Sequence, residues 1–139
     1  EMVVEAGANE VVWSYPTTGA AAISRVIKAA DAYPKARVTG VVDNDVGLDT
    51  WLRLLSEGQH PNVTLRVDID PGMKRTGAAI GDASIELALK VSRAGLFAGW
   101  HVYDGHIAAV ATTKPASVMQ ATPPPKPGST PITAARLSM

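Results

Sequence analysis

The apolar positions of this chain alternate between two spacings over most of its length. Residues 10–15 are a short β-branched and aromatic run that Pro16 stops, which predicts a strand. Thr17 and Thr18 then offer helix caps, and Ala22, Ile23, Val26, Ile27 and Ala30 recur at helical spacing until Pro34. Residues 37–42 predict a second strand, and Asp43-Asn44-Asp45 a turn with an N-cap. Trp51, Leu52, Leu54 and Leu55 carry a helix to Gly58, and residues 63–69 predict a third strand. Asp82 is the expected cap of a helix bearing Ile85, Leu87, Leu89 and Val91, which Gly95 closes before a fourth strand at 96–102.

Strand followed by helix, repeated in this way, is a run of βαβ units with parallel strands. Four strands and three crossovers belong either to a doubly wound sheet or to a (β/α)8 barrel. The third strand decides between them. Leu65, Val67 and Ile69 point one way, and Arg66, Asp68 and Asp70 the other. A doubly wound sheet buries both faces under helices, so its central strands are apolar throughout. A strand with one charged face suits a barrel lumen better, and the expected fold is α/β, a partial TIM-type (β/α)8 barrel. Tyr15, Asp43, Asp70 and Tyr103 fall at the carboxyl ends of their strands, the edge where parallel α/β folds hold ligands.

Composition sharpens this. The 139 residues fall well short of the ~250 of a complete barrel. With 46% hydrophobic and 19% charged residues, a packed core is within reach. The absence of cysteine excludes a disulfide scaffold, a thiolate zinc site and a cysteine nucleophile. Net charge is zero, which gives no attraction for nucleic acid. That neutrality conceals a division, because residues 1–106 carry all 13 acidic groups while Lys114, Lys126 and Arg136 are the only charges beyond. Six of the ten prolines follow Lys114, and no aromatic does. The chain is thus read as a barrel domain at 1–107 and a Pro-rich, disordered tail at 108–139. A frame-shifted or truncated gene end is the expected origin of that tail, with a PxxP ligand as the alternative. No apolar run of ~18 residues predicts a membrane span, no secretory signal is visible at the start, and a cytoplasmic location is expected.

Several motifs dissolve on inspection. Gly72 to Gly77 has P-loop glycine spacing, but Ala78 and Ala79 stand where lysine and a hydroxyl residue are required. Asp43, Asp45 and Gly47 resemble a calcium loop whose glycine is one position early. Asn62-Val63-Thr64 matches a glycosylation triplet at the mouth of a strand and is read as chance. His101 and His106, with Asp104, have poor spacing for zinc, so a ring-facing or exposed histidine is the better reading of each. Residues 68–77 are the strongest candidate. Pro71 and Gly72 make a tight turn beyond a strand, and Arg75 can hold a carboxylate or an electron-rich ring oxygen there. The plain alternative is a solvated loop with a salt bridge.

This segment, Asp70-Pro71-Gly72-Met73-Lys74-Arg75-Thr76-Gly77, resembles the D-x-G-M-x-R-x-G signature of the alanine-racemase-like, fold-type III pyridoxal-phosphate (PLP) enzymes. Gly99-Trp100-His101-Val102-Tyr103-Asp104-Gly105-His106 is similar to the G-x-x-x-Y-x-G-H stretch of the D-threonine aldolase and D-serine dehydratase branch. Residues 38–43 and 11–16 resemble two further strands of that branch, in the same order.

The resemblance implies a PLP-binding barrel that acts as a lyase on small D-hydroxyamino acids, with a divalent metal and a homodimeric full-length enzyme. It places Arg75 and Tyr103 as catalytic and cofactor-binding residues, with His106 and Asp70 also beside the cofactor. The family's Schiff-base lysine lies on an earlier strand, and none of Lys28, Lys35, Lys74, Lys90, Lys114 or Lys126 matches it. Its metal ligands lie in a C-terminal β-domain that nothing here matches, so no residue is assigned to metal. Two other readings remain: a racemase of the same superfamily, and a non-catalytic half-barrel that needs the rest of a barrel to act.

Overall fold

The computed structural model describes residues 2–105. In chain order these form α1 (Met2–Glu5), β1 (Glu10–Val12), α2 (Ala20–Ala32), β2 (Arg37–Val42), α3 (Asp45–Leu55), β3 (Val63–Ile69), α4 (Asp82–Arg93) and β4 (Phe97–Val102). The strands make one parallel sheet in the order β1-β2-β3-β4, a half-barrel with helices between successive strands. His106, Lys114, Lys126 and the proline-rich stretch lie outside the described residues.

Alternation along the strands assigns the two faces. Val38, Val42, Val63, Leu65 and Val67 pack under the helices, against Ile23 and Ile27 of α2, Leu48 and Trp51 of α3, and Leu87 and Val91 of α4. Each such side chain contributes about 1.5–3 kcal/mol on burial. Gly40 allows the largest of them to fit. A Cβ at that position would run into the ring of the fully buried Trp51 and lie 3.1 Å from Leu65. The glycine therefore lets an indole lie against the sheet where any other residue would push it off.

The opposite face holds Val12 and Val41 but is otherwise polar and cross-linked. Thr39 and Thr64, partners in the β2–β3 register, share a 2.8 Å hydrogen bond. Arg66 reaches Glu10 at 3.7 Å, and Asp68 bonds His101 across β3 and β4. These are the groups that alternation assigns to the lumen.

One irregularity sets the last strand. Leu65 pairs with Phe97, but Val67 pairs with Trp100, so β4 spends one residue more than β3 over that interval. Gly99, at φ 114°, supplies the left-handed conformation that such a bulge requires. Its consequence is register: Phe97 and Trp100 lie opposite the apolar residues of β3, and His101 lies opposite Asp68.

Several expected boundaries differ. β1 ends at Val12 rather than at residue 15, because its pairing runs out after Trp13 N–H donates to the Thr39 carbonyl. Thr17 and Thr18 do not cap α2. The N-cap is Gly19, whose N–H donates to Thr17 Oγ1 in a local turn. Asp82 is the first residue of α4, capped by Gly81, while Asn44 caps α3 through Gly47 N–H as the sequence suggests. Of the apolar residues assigned to α4, only Leu87 and Val91 enter the core; Ile85 and Leu89 are exposed.

Candidate functional site

The carboxyl edge of the sheet is organised around the loop that follows β3. Asp70 Oδ1 accepts hydrogen bonds from Gly72 N–H at 2.9 Å and Lys74 N–H at 3.0 Å, folding the chain back immediately after the strand. Asp43, just beyond β2, accepts from Gly77 N–H at 3.2 Å. Backbone bonds from Asp70 N–H to the Ala78 carbonyl and from Ala78 N–H to the Asp68 carbonyl close the loop on its own strand. Gly77, at φ 108°, passes so near Asp70 that a Cβ would strike its backbone. Lys74 takes up φ 54°, an uncommon conformation for a non-glycine residue. Two carboxylates and a glycine contact thus fix where Arg75 stands.

The Arg75 guanidinium lies over the ring of Tyr103, with Cζ 5.3 Å from the ring centre. At an exposed site such a contact is worth about 0.5–1 kcal/mol, so its importance is orientation more than stability. No ion pair among the described residues involves Arg75. A planar, oriented cation suits a carboxylate, a phosphate or a phenolate oxygen. Asp68, Ile69, Pro71, Met73, Thr76 and the Arg75–Tyr103 pair line one cleft.

The positions predicted from sequence separate into two roles. Arg75 and Tyr103 meet each other and open onto the cleft. Asp70 is engaged by the loop amides, which makes it the scaffold for Arg75 in this structure. His106 lies outside the described residues. Sequence reasoning missed the half-buried pair His101 Nδ1 and Asp68 Oδ1 at 2.6 Å. Alternation already put His101 on the face of Tyr103, but pairing it with Asp68 required the bulged register.

Larger cavities lie elsewhere. One of about 420 Å³ lies on the helix side of β1, bounded by Val11, Trp13, Val26 and Tyr33, and offers almost only apolar wall. Another of about 420 Å³ lies between α3 and α4, where Lys90 and Asp45 already pair at 2.7 Å. That hydrogen bond holds the Lys90 ammonium above its ordinary pKa. Volume alone therefore does not point to the arginine loop.

The cofactor anchor that the resemblance implies does not fit the described residues. Lys28 and Lys90 are on exposed helix faces, Lys35 precedes β2, and Lys74 is in the arginine loop. None of the four projects from a strand, so no chemical step through a covalent anchor is derived. Among the described residues no group of three or more metal-ligating side chains converges.

Fold and site together define a class: a parallel β/α half-barrel with a polar lumen and a clamped arginine loop at its carboxyl edge. Among solved structures, D-threonine aldolase from Filomicrobium marinum is similar, with a TM-score of 0.64 and 27% sequence identity over 75% of this chain. That likeness supports membership of the fold-type III family to which its arginine-loop signature pointed. The chain spans 28% of the length of that protein. No family model matches the chain, and no curated protein does.

Proposed function

We propose that this chain is the arginine-loop portion of a PLP-dependent lyase acting on small D-hydroxyamino acids, by aldol cleavage or dehydration. The observation that carries the reading is the Arg75 guanidinium stacked on Tyr103 and held by a loop that Asp43 and Asp70 brace. PLP, when bound, would supply an electron sink for a substrate carbanion. The protein's own part is to orient it: Arg75 donates to an anionic oxygen of cofactor or substrate, and Tyr103 forms a flat wall beside the ring.

Titration of the full chain with PLP, followed by borohydride reduction and mass spectrometry, tests this. Arg75→Met is expected to weaken PLP binding about tenfold while changing stability by no more than about 1 kcal/mol. Equal affinity in the variant would remove Arg75 from the site. No reduced adduct is expected on Lys28, Lys35, Lys74 or Lys90, and a stoichiometric one would reveal an anchor. A second reading, a half-barrel without catalysis of its own, is favoured by the lack of a strand lysine among the described residues. It predicts PLP binding with no turnover of D-threonine.

A further inference from the structure

The two edges of the sheet, β1 and β4, are open. Asn9 C=O and Trp13 N–H bond to β2, so by alternation the N–H and C=O groups of Glu10 and Val12 point away from it. Among the described residues no strand pairs with that side of β1 or with the far side of β4. Such edges are templates for a further strand.

Apolar surface accompanies both of them. Phe97, Trp100 and Val102 lie on the helix face of β4, opposite Leu65, Val67 and Ile69, yet they remain 38%, 45% and 53% exposed. The two rings meet edge to face with centres 5.6 Å apart and form a ridge. On the helix face of β1 the surface is concave instead, the apolar groove of about 420 Å³ walled by Val11, Trp13, Val26 and Tyr33. Ridge and groove therefore belong to the same layer, at opposite margins of one sheet. On the lumen face, β1 brings the acid Glu10 and β4 the base His101.

A second copy satisfies both margins. The four strands are parallel and make half a barrel, and a closed barrel of this type has eight. A two-fold axis along the barrel sets β4 of each copy beside β1 of the other, keeps every strand parallel and leaves no edge. Each contact then forms twice. Covering the three β4 side chains and the facing groove at two junctions removes on the order of 1,000 Å² from water, the lower end of a specific interface. Because β1 has only three residues, the seating of ridge in groove contributes more than the added ladder.

We propose that two copies of this chain close into one eight-stranded barrel through pairing of β4 with β1. The inference is independent of what the arginine loop binds.

Sedimentation equilibrium of the full chain gives the first test, with an expected mass of twice 14.5 kDa. A monomer at every concentration, or an assembly that keeps growing, would overturn the proposal. The sequence has no cysteine, so introduced thiols can report which edges meet. Chains carrying Val11→Cys and Val102→Cys, co-expressed and treated with a short bismaleimide, are expected to give at least fivefold more covalent dimer than either variant alone. Like edges stand across the barrel from each other in the closed form, with these side chains pointing apart. Equal yields from the single variants would show that like edges meet, and closure would fail.

Trp100→Asp breaks the ridge. It is expected to weaken dimerisation at least tenfold with an unchanged circular dichroism spectrum, whereas Val46→Asp, at an exposed site on α3, leaves the dimer intact. A Trp100→Asp dimer as tight as the parent would remove the ridge from the interface and the proposal with it. If that variant does not fold, the mass and the thiol pairs decide.

Discussion

Two histidine–aspartate pairs with the same 2.6 Å separation stand at opposite ends of the sheet. At the amino edge His60 meets Asp31, whose side chain is 46% exposed, beside a plug built by Asn62. The Asn62 amide donates to the carbonyls of Ala30 and Ala36, both at 2.9 Å, and joins the end of α2 to the start of β2. These polar groups close one element onto another. At the carboxyl edge His101 meets a carboxylate that is 3% exposed, and Arg75 has no ion-pair partner among the described residues. One edge spends its polar groups on itself; the other braces its loop with Asp43 and Asp70 and leaves a cation and an imidazole nitrogen available. Bond length does not separate structure from chemistry here, but the state of the surrounding groups does.

The largest effect is expected from breaking the brace of the carboxyl edge. Gly77→Ala places a Cβ against the Asp70 backbone at a φ of 108°, and should cost about 2–4 kcal/mol in urea unfolding. It should also release Arg75 from Tyr103, visible as loss of ring-current shifts. A variant as stable as the parent would mean that the loop is not clamped. Asn62→Ala comes next. The Ala36 carbonyl loses its donor while that of Ala30 keeps Tyr33 N–H, which should cost about 1–2 kcal/mol, yet PLP affinity should stay within about threefold, since the plug is at the other end of the strands. A larger loss of affinity would erase the division between the edges.

The smallest effect belongs to Lys90, whose hydrogen bond to Asp45 raises its pKa above the ordinary 10.5. Because the folded-state value is the higher one, the contribution is complete at neutral pH and disappears as pH rises past it. Lys90→Met should lower the melting temperature slightly at pH 7 and match the parent in strongly alkaline buffer. A difference that persists there would assign the effect to packing rather than charge.

Much of this was legible in the residues. The strand and helix alternation gave four parallel strands because β-branched runs and 3.6-residue spacing reflect local preferences. The charged face of β3 selected a barrel because Arg66 and Asp68 could not lie under an apolar helix. Arg75 and Tyr103 were singled out through a signature, and the structure brings them into contact. Ends of elements were less legible. Thr17 looked like a cap from its residue type, yet its oxygen serves Gly19 N–H in a turn, and only the path of the backbone decides which amide a hydroxyl meets. Ile85 and Leu89 fit the helical period as well as Leu87 and Val91, but which stripe becomes core depends on the side from which β3 approaches.

By itself, then, the sequence determined the class of fold, the charged face of β3 and the edge that carries the arginine loop, since each depends on spacing along the chain. The pairing of Asp68 with His101 was decided only in three dimensions. Between Leu65 and Val67 the neighbouring strand inserts one extra residue at Gly99, and that single step sets whether Trp100 or His101 faces the buried carboxylate. Register is a relation between two strands, and neither strand carries it alone.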